Sequence, residues 1–127
     1  MKKISLLFLF FSLAGYSQTN LFTGTWSNEN CKDCSKKYIL NLILAQSNSN
    51  IFGTAEIINN DEKKNTGIME VTGFVYPLGE KAIVKLKGKN GIGASIILDV
   101  SDKNIQFTKR AGSDLIPQET ILTKLYD

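Results

Sequence analysis

Histidine is absent from this 127-residue chain. Its absence excludes Ser-His-Asp and Cys-His catalysis and every zinc site that draws on imidazole. Tryptophan and arginine occur once each, as Trp26 and Arg110, and the two cysteines are Cys31 and Cys34. Long like-charge blocks are missing. The formal charge is +3, but Lys2 and Lys3 supply most of it; without them 13 basic residues face 12 acidic ones. So small an excess gives no electrostatic reason to expect a nucleic-acid or anionic-lipid partner. No segment carries a helical period over three turns, and no repeat of 20–50 residues indicates a solenoid. A phosphate-cradling glycine loop, a Gly-x-Ser-x-Gly elbow and a regular calcium-loop pattern are all missing. Asp61-Glu62 lie in a polar turn and Asp99 and Asp102 flank another, and no two acids have a spacing that argues for a carboxylate pair. The expectation is a non-enzymatic protein with no catalytic residues, no metal and no cofactor.

What is present begins with an export signal. Lys2 and Lys3 precede an apolar run, Ile4 to Ala14, and Gly15-Tyr16-Ser17 closes it with small residues. This is the layout of a secretory signal peptide. The run has 11 residues, against the roughly 20 that a membrane-spanning helix needs. Residues 1–17 are therefore assigned to the signal and 18–127 to one domain, exported to the periplasm or the extracellular space. No further apolar run in the mature part is long enough to span a bilayer.

The mature part alternates apolar and polar residues between turn-forming clusters, which predicts strands. They fall at 21–27, 37–46, 51–58, 68–76, 81–87, 92–100, 105–110 and 119–126. Ser47-Asn48-Ser49-Asn50, Asn90-Gly91 and Ser101-Asp102-Lys103-Asn104 are turn sequences, since Asn bonds its own backbone and accepts positive φ. Eight strands joined mostly by short turns predict an antiparallel meander. Closing it into an up-and-down barrel removes both exposed edges. A two-sheet sandwich gives a similar pattern but usually needs a long crossover. The fold class expected is all-β, an eight-stranded antiparallel up-and-down β-barrel. Gly53, Gly73 and Gly93 interrupt apolar runs, as glycines do where strands bend sharply, or where space is left for a ligand.

Two short motifs stand out. Gly24-x-Trp26 lies on the first strand, where a large aromatic can plug one end of a barrel. With an export signal and eight strands, it resembles the lipocalin and calycin group, including bacterial lipocalin-like domains. The resemblance implies that Trp26 packs at the closed end beneath a cation from a late strand, with Arg110 and Lys124 as candidates. It also implies a small apolar ligand entering at the opposite end. Alternation then gives Leu40, Leu42, Val71, Val84, Leu86, Ile96 and Leu98 as interior, ligand-facing residues. Avidin-like barrels are of similar length, but they line their site with several tryptophans.

Cys31-x-x-Cys34 has three readings. A disulfide suits an exported protein and stabilises by ~2 kcal/mol for so short a loop. A redox dithiol normally sits at a helix N-terminus, and no helix is indicated here. A structural zinc site needs four ligands, of which this pair is half. The disulfide is the expected state. A second functional expectation follows from the same loop: a protein-interaction module, such as a secreted-protease inhibitor or envelope accessory protein, making contact through the Cys31–Cys34 loop, with Lys32 and Asp33 exposed on it, together with Gln18 to Leu21.

Overall fold

The alternating segments form eight strands: β1 (Gly24–Ser27), β2 (Tyr38–Ser47), β3 (Asn50–Asn59), β4 (Gly67–Val75), β5 (Lys81–Lys87), β6 (Gly93–Ser101), β7 (Asn104–Gly112) and β8 (Glu119–Lys124). They are seen in a computed structural model that describes residues 21–34, 36–77 and 80–125; the expected signal segment, 1–17, lies outside them. Each strand pairs antiparallel with the next, and β8 returns to β1, so the meander closes into a barrel. The turn chemistry matches: Asn48, Asn90 and Asp102 all have φ between 56° and 60°. Two single 3-10 turns, at Glu62–Lys64 and Lys89–Gly91, lie in the connections.

Period-2 alternation decides which side of the wall each residue takes. Leu40, Leu42, Val71, Val84, Leu86, Ile96 and Leu98 all point inward and are 0–3% exposed. Ile57, Met69, Ile105, Phe107 and Leu122 join them. The outer wall carries Glu56, Glu70, Lys81, Lys85, Lys87 and Gln106. The packed interior is apolar, where that of a membrane-spanning barrel is polar; the outer wall is mixed, with Ile39, Ile43, Phe52, Ile58, Ile68 and Phe74 exposed among the charges. Among the described residues no helix is long and apolar enough to cross a membrane.

The first strand is shorter than the 21–27 expected. Phe22 leaves the sheet and is fully buried. Its N–H donates to Gln46 Oε1 at 3.3 Å, and its carbonyl accepts from Trp26 Nε1 at 2.9 Å. The chain thus passes beneath the barrel end before rising into β1, and tertiary burial overrides the local alternation. The opposite end is closed by residues 113–118. Ile116 is buried there, and Lys109 Nζ donates to the carbonyls of Ser113 and Ile116, each at 2.9 Å. Gln118 Nε2 donates to the Lys109 carbonyl at 2.8 Å, tying the same segment to β7 a third time.

Candidate functional site

Trp26 is 1% exposed, and the cation over its ring is Lys124, with Nζ 5.8 Å from the ring centroid. Arg110, the other candidate, is exposed on β7. Alternation puts it there: Ile105, Phe107 and Lys109 turn in, so Arg110 turns out, and the register shift that leaves Arg110 unpaired between Ser95–Ala111 and Ile96–Lys109 comes only after them. Arg110 also lies near Glu119, whereas Trp26 pairs with Lys124 at the other end of β8. Gly24 has its own reason. Its φ is +146°, and a Cβ there would come within 2.7 Å of Lys124 Cε. The Gly-x-Trp spacing leaves room for the lysine stem to cross onto the indole.

Cys31 and Cys34 form a disulfide with Cα atoms 5.4 Å apart. Its position follows from how short β1 is. β1 meets β8 only through Trp26–Lys124 and Ser27–Thr123. Beyond Ser27, β2 and β8 would face each other across an open seam, and the loop 28–37 fills it. On the β2 side the buried Asn28 replaces a strand: its Oδ1 accepts from Leu40 N–H at 2.8 Å, and its Nδ2 donates to the Tyr38 carbonyl at 3.3 Å. On the β8 side stands Cys34. Thr120 Oγ1 donates to its Sγ at 3.6 Å, and the Ile121 carbonyl lies 3.9 Å from the same sulfur. A groove of about 260 Å³ lined by Asp33, Cys34, Tyr38, Gln106, Glu119, Thr120 and Ile121 opens beside it.

Replacing Asn28 with alanine strands the Leu40 N–H and the Tyr38 carbonyl. Such a loss costs about 1–3 kcal/mol. The expected outcome is a lowered urea midpoint with faster hydrogen exchange at the Leu40 amide.

The second surface lies on the outer wall of β2–β5. Ile43, Phe52 and Phe74 are 52%, 48% and 50% exposed. Phe52 is opposite Ala45 and diagonal to Ile43, while Phe74 is diagonal to Phe52 and opposite Ile83. Diagonal neighbours lie within reach of aromatic side chains, so these residues form one stripe. Tyr76 extends it, with its ring centroid 5.8 Å from that of Phe74. A groove of about 290 Å³ runs along Thr72, Phe74, Tyr76, Ile83 and Lys85. A second, of about 450 Å³, continues from Thr72 and Lys85 past Glu70 and Lys87 to Ser95 and Gly112. Reading the strands for a single inner face passed over this stripe. The signal for it was present: β2, β3 and β4 carry large apolar residues on both faces, whereas the outer face of β5 is mostly lysine.

The interior offers no such opening at the residues expected to face a ligand. Leu40, Leu42, Val71, Ile96 and Leu98 are 0% exposed, Val84 1% and Leu86 3%. A hollow barrel would leave its lining open to water-sized molecules; these side chains are filled against one another. Among the described residues no group of three or more Cys, Asp or Glu side chains gathers to hold a metal ion.

Fold and surfaces together define a closed, solid-cored β-barrel with an apolar stripe outside and a disulfide-bonded seam. No protein-family model, no curated protein and no solved structure matches the chain.

Proposed function

We propose that this protein is an exported, lipocalin-like barrel that works as a protein-interaction module through its outer wall. The observation that carries the reading is the Ile43–Phe52–Phe74 stripe, whose three large apolar side chains are each about half exposed and adjacent in register. Contiguous exposed apolar surface costs solubility and marks contact sites. Lys85 borders it on β5, diagonal to Phe74, while Lys87 stands opposite Glu70, so the fitting partner is another exported protein presenting an apolar face with a carboxylate at its rim. Charge at the rim would steer the encounter, and the buried aromatic residues would supply most of the affinity. The disulfide favours a protein that works outside the reducing cytosol.

A small apolar ligand in the interior would have to displace several of Leu40, Leu42, Val71, Val84, Leu86, Ile96 and Leu98, which already fill that space. This places the interior reading second. An apolar molecule retained stoichiometrically in native mass spectrometry after extraction from the producing cell would reverse the order.

The test compares three chains in cross-linked pull-downs from the native envelope: the natural one, Phe52→Asp with Phe74→Asp, and Lys32→Ala with Asp33→Ala. Aspartate disfavours strands, and each Phe is half-packed against its neighbours. The wall variant should therefore be less stable by about 1–2 kcal/mol, while the loop variant melts like the natural chain. Pull-downs are run well below both melting transitions. The wall variant is expected to lose its partner while the loop variant keeps it. The converse pattern would move the contact to the disulfide loop, and retention by both would sink the outer-wall reading.

A further inference from the structure

We infer that Cys31–Cys34 is an exchangeable disulfide, reduced by the dithiol of a partner protein while the barrel stays folded, and that the exchange frees the strand edge of β8 at the seam. Three features converge on it. The first is a polarity across the S–S bond. Thr120, only 5% exposed, aims its hydroxyl at Cys34 Sγ from 3.6 Å, so a thiolate formed on Cys34 meets a donor already in place. Near Cys31 the positive charge of Lys36 is close by, its Nζ donating to the Cys31 carbonyl at 2.7 Å. A cation there attracts an incoming thiolate, and the leaving sulfur is the one with the hydrogen-bond donor.

The second feature is access. Both cysteines are partly exposed, so Cys31 can be met from solvent, and the 260 Å³ groove between β8 and Asp33 gives the departing Cys34 sulfur room beside Thr120. The third is what the loop covers. Lys109 N–H donates to the Gln118 carbonyl, Lys124 N–H to Lys103, and Leu125 N–H to Thr25. Even-numbered residues of β8 therefore bond towards β7, and by alternation Glu119 and Ile121 turn their N–H and C=O towards the seam. β1 does not reach them. The disulfide loop stands there, with Cys34 Sγ 3.9 Å from the Ile121 carbonyl.

A partner thiolate attacks Cys31 Sγ, the S–S bond breaks, and its electron pair leaves on Cys34 Sγ beside Thr120. The partner's second thiol then attacks its own sulfur in the mixed disulfide and releases Cys31. Two electrons pass from the partner's dithiol, which becomes a disulfide, and the two protons of that dithiol end on Cys31 and Cys34.

The experiment uses the folded chain with dithiothreitol as the dithiol and glutathione as the monothiol, thiols being trapped by alkylation and mapped by mass. Trp26 fluorescence reports the fold in parallel. Both thiols are expected to become trappable while the Trp26 signal is unchanged, and early glutathione adducts should sit on Cys31. Thr120→Val should slow exchange by about tenfold, the effect of one hydrogen bond to a charged sulfur, and Thr120→Ser should restore it. Reduction should speed hydrogen exchange at the Glu119 and Ile121 amides and leave those of Thr120, Leu122 and β3–β5 unaltered. Thiols that appear only as Trp26 fluorescence is lost would overturn the proposal. So would adducts mainly on Cys34, or a Thr120→Val chain that exchanges at the natural rate. None of these readouts depends on the outer-wall stripe, so this proposal and the interaction-module reading stand or fall separately.

Discussion

Trp26→Ala should cost about 4 kcal/mol of unfolding free energy, within the range of large-to-small changes at fully packed aromatic sites. Three losses combine. The indole is 1% exposed, so its removal leaves a cavity that the rigid strands around it cannot collapse to fill. The Phe22 carbonyl loses the Nε1–H that it accepts at 2.9 Å. Lys124 loses the ring beneath its ammonium. Urea titration followed by far-ultraviolet circular dichroism measures the total, since the variant has no tryptophan left to observe. Two further variants apportion it. Trp26→Phe keeps most of the apolar volume but leaves the Phe22 carbonyl unpaired, and should cost about 1–3 kcal/mol. Lys124→Met keeps the stem against Gly24 and removes only the charge; a partly exposed cation–π contact is worth about 0.5–1 kcal/mol. If Trp26→Ala cost less than Trp26→Phe, the indole could not be the plug of this barrel end.

The contrast between Lys124 and Arg110 shows where the sequence is legible and where it is not. Strand number, order and inner face follow from a local signal, period-2 alternation, and every interior residue that this signal nominates is buried. Turns are equally local: Asn48, Asn90 and Asp102 take positive φ because their own side chains permit it. Which late-strand cation meets Trp26 depends instead on inter-strand register, which sets Lys124 opposite Trp26 and Arg110 towards the other end of β8. Register leaves no mark in the alternation. The burial of Phe22 outside the sheet was hidden too, because Leu21-Phe22 continues an apolar pattern that a strand would also show. The seam was the least readable feature. Asn28 looks like one more turn residue in Asn28-Glu29-Asn30, and only the early end of β1 makes its side chain a substitute for main chain. The disulfide itself was expected; its contact with Thr120, 86 residues away, was not.

Gly73→Ala should be the second most damaging change, at about 3 kcal/mol, the upper part of the range for overpacking a close contact. Gly73 faces inward between Val71 and Val75 and pairs with Val84. A methyl built there would run into the Ile83 carbonyl oxygen, with Val84 Cα at 2.6 Å and Val84 Cγ1 at 2.7 Å. The nearest atoms are backbone, so no rotamer change relieves the clash; β4 and β5 have to separate, and ladder hydrogen bonds go with them. Gly53 stands in the same relation to β2, where its methyl would meet the Ile43 carbonyl, with Leu44 Cα at 3.1 Å. These two inward glycines let neighbouring strands approach as the sheet coils, which is how so narrow a barrel closes. Gly91→Ala provides the control. Its φ is +77°, yet nothing lies within 4 Å of an added Cβ. It therefore carries only the left-handed backbone penalty, roughly 1–2 kcal/mol. Urea midpoints monitored by Trp26 fluorescence should rank Gly73→Ala and Gly53→Ala well below Gly91→Ala. Equal costs at all three sites would mean that backbone conformation, and not strand approach, selects glycine at 53 and 73.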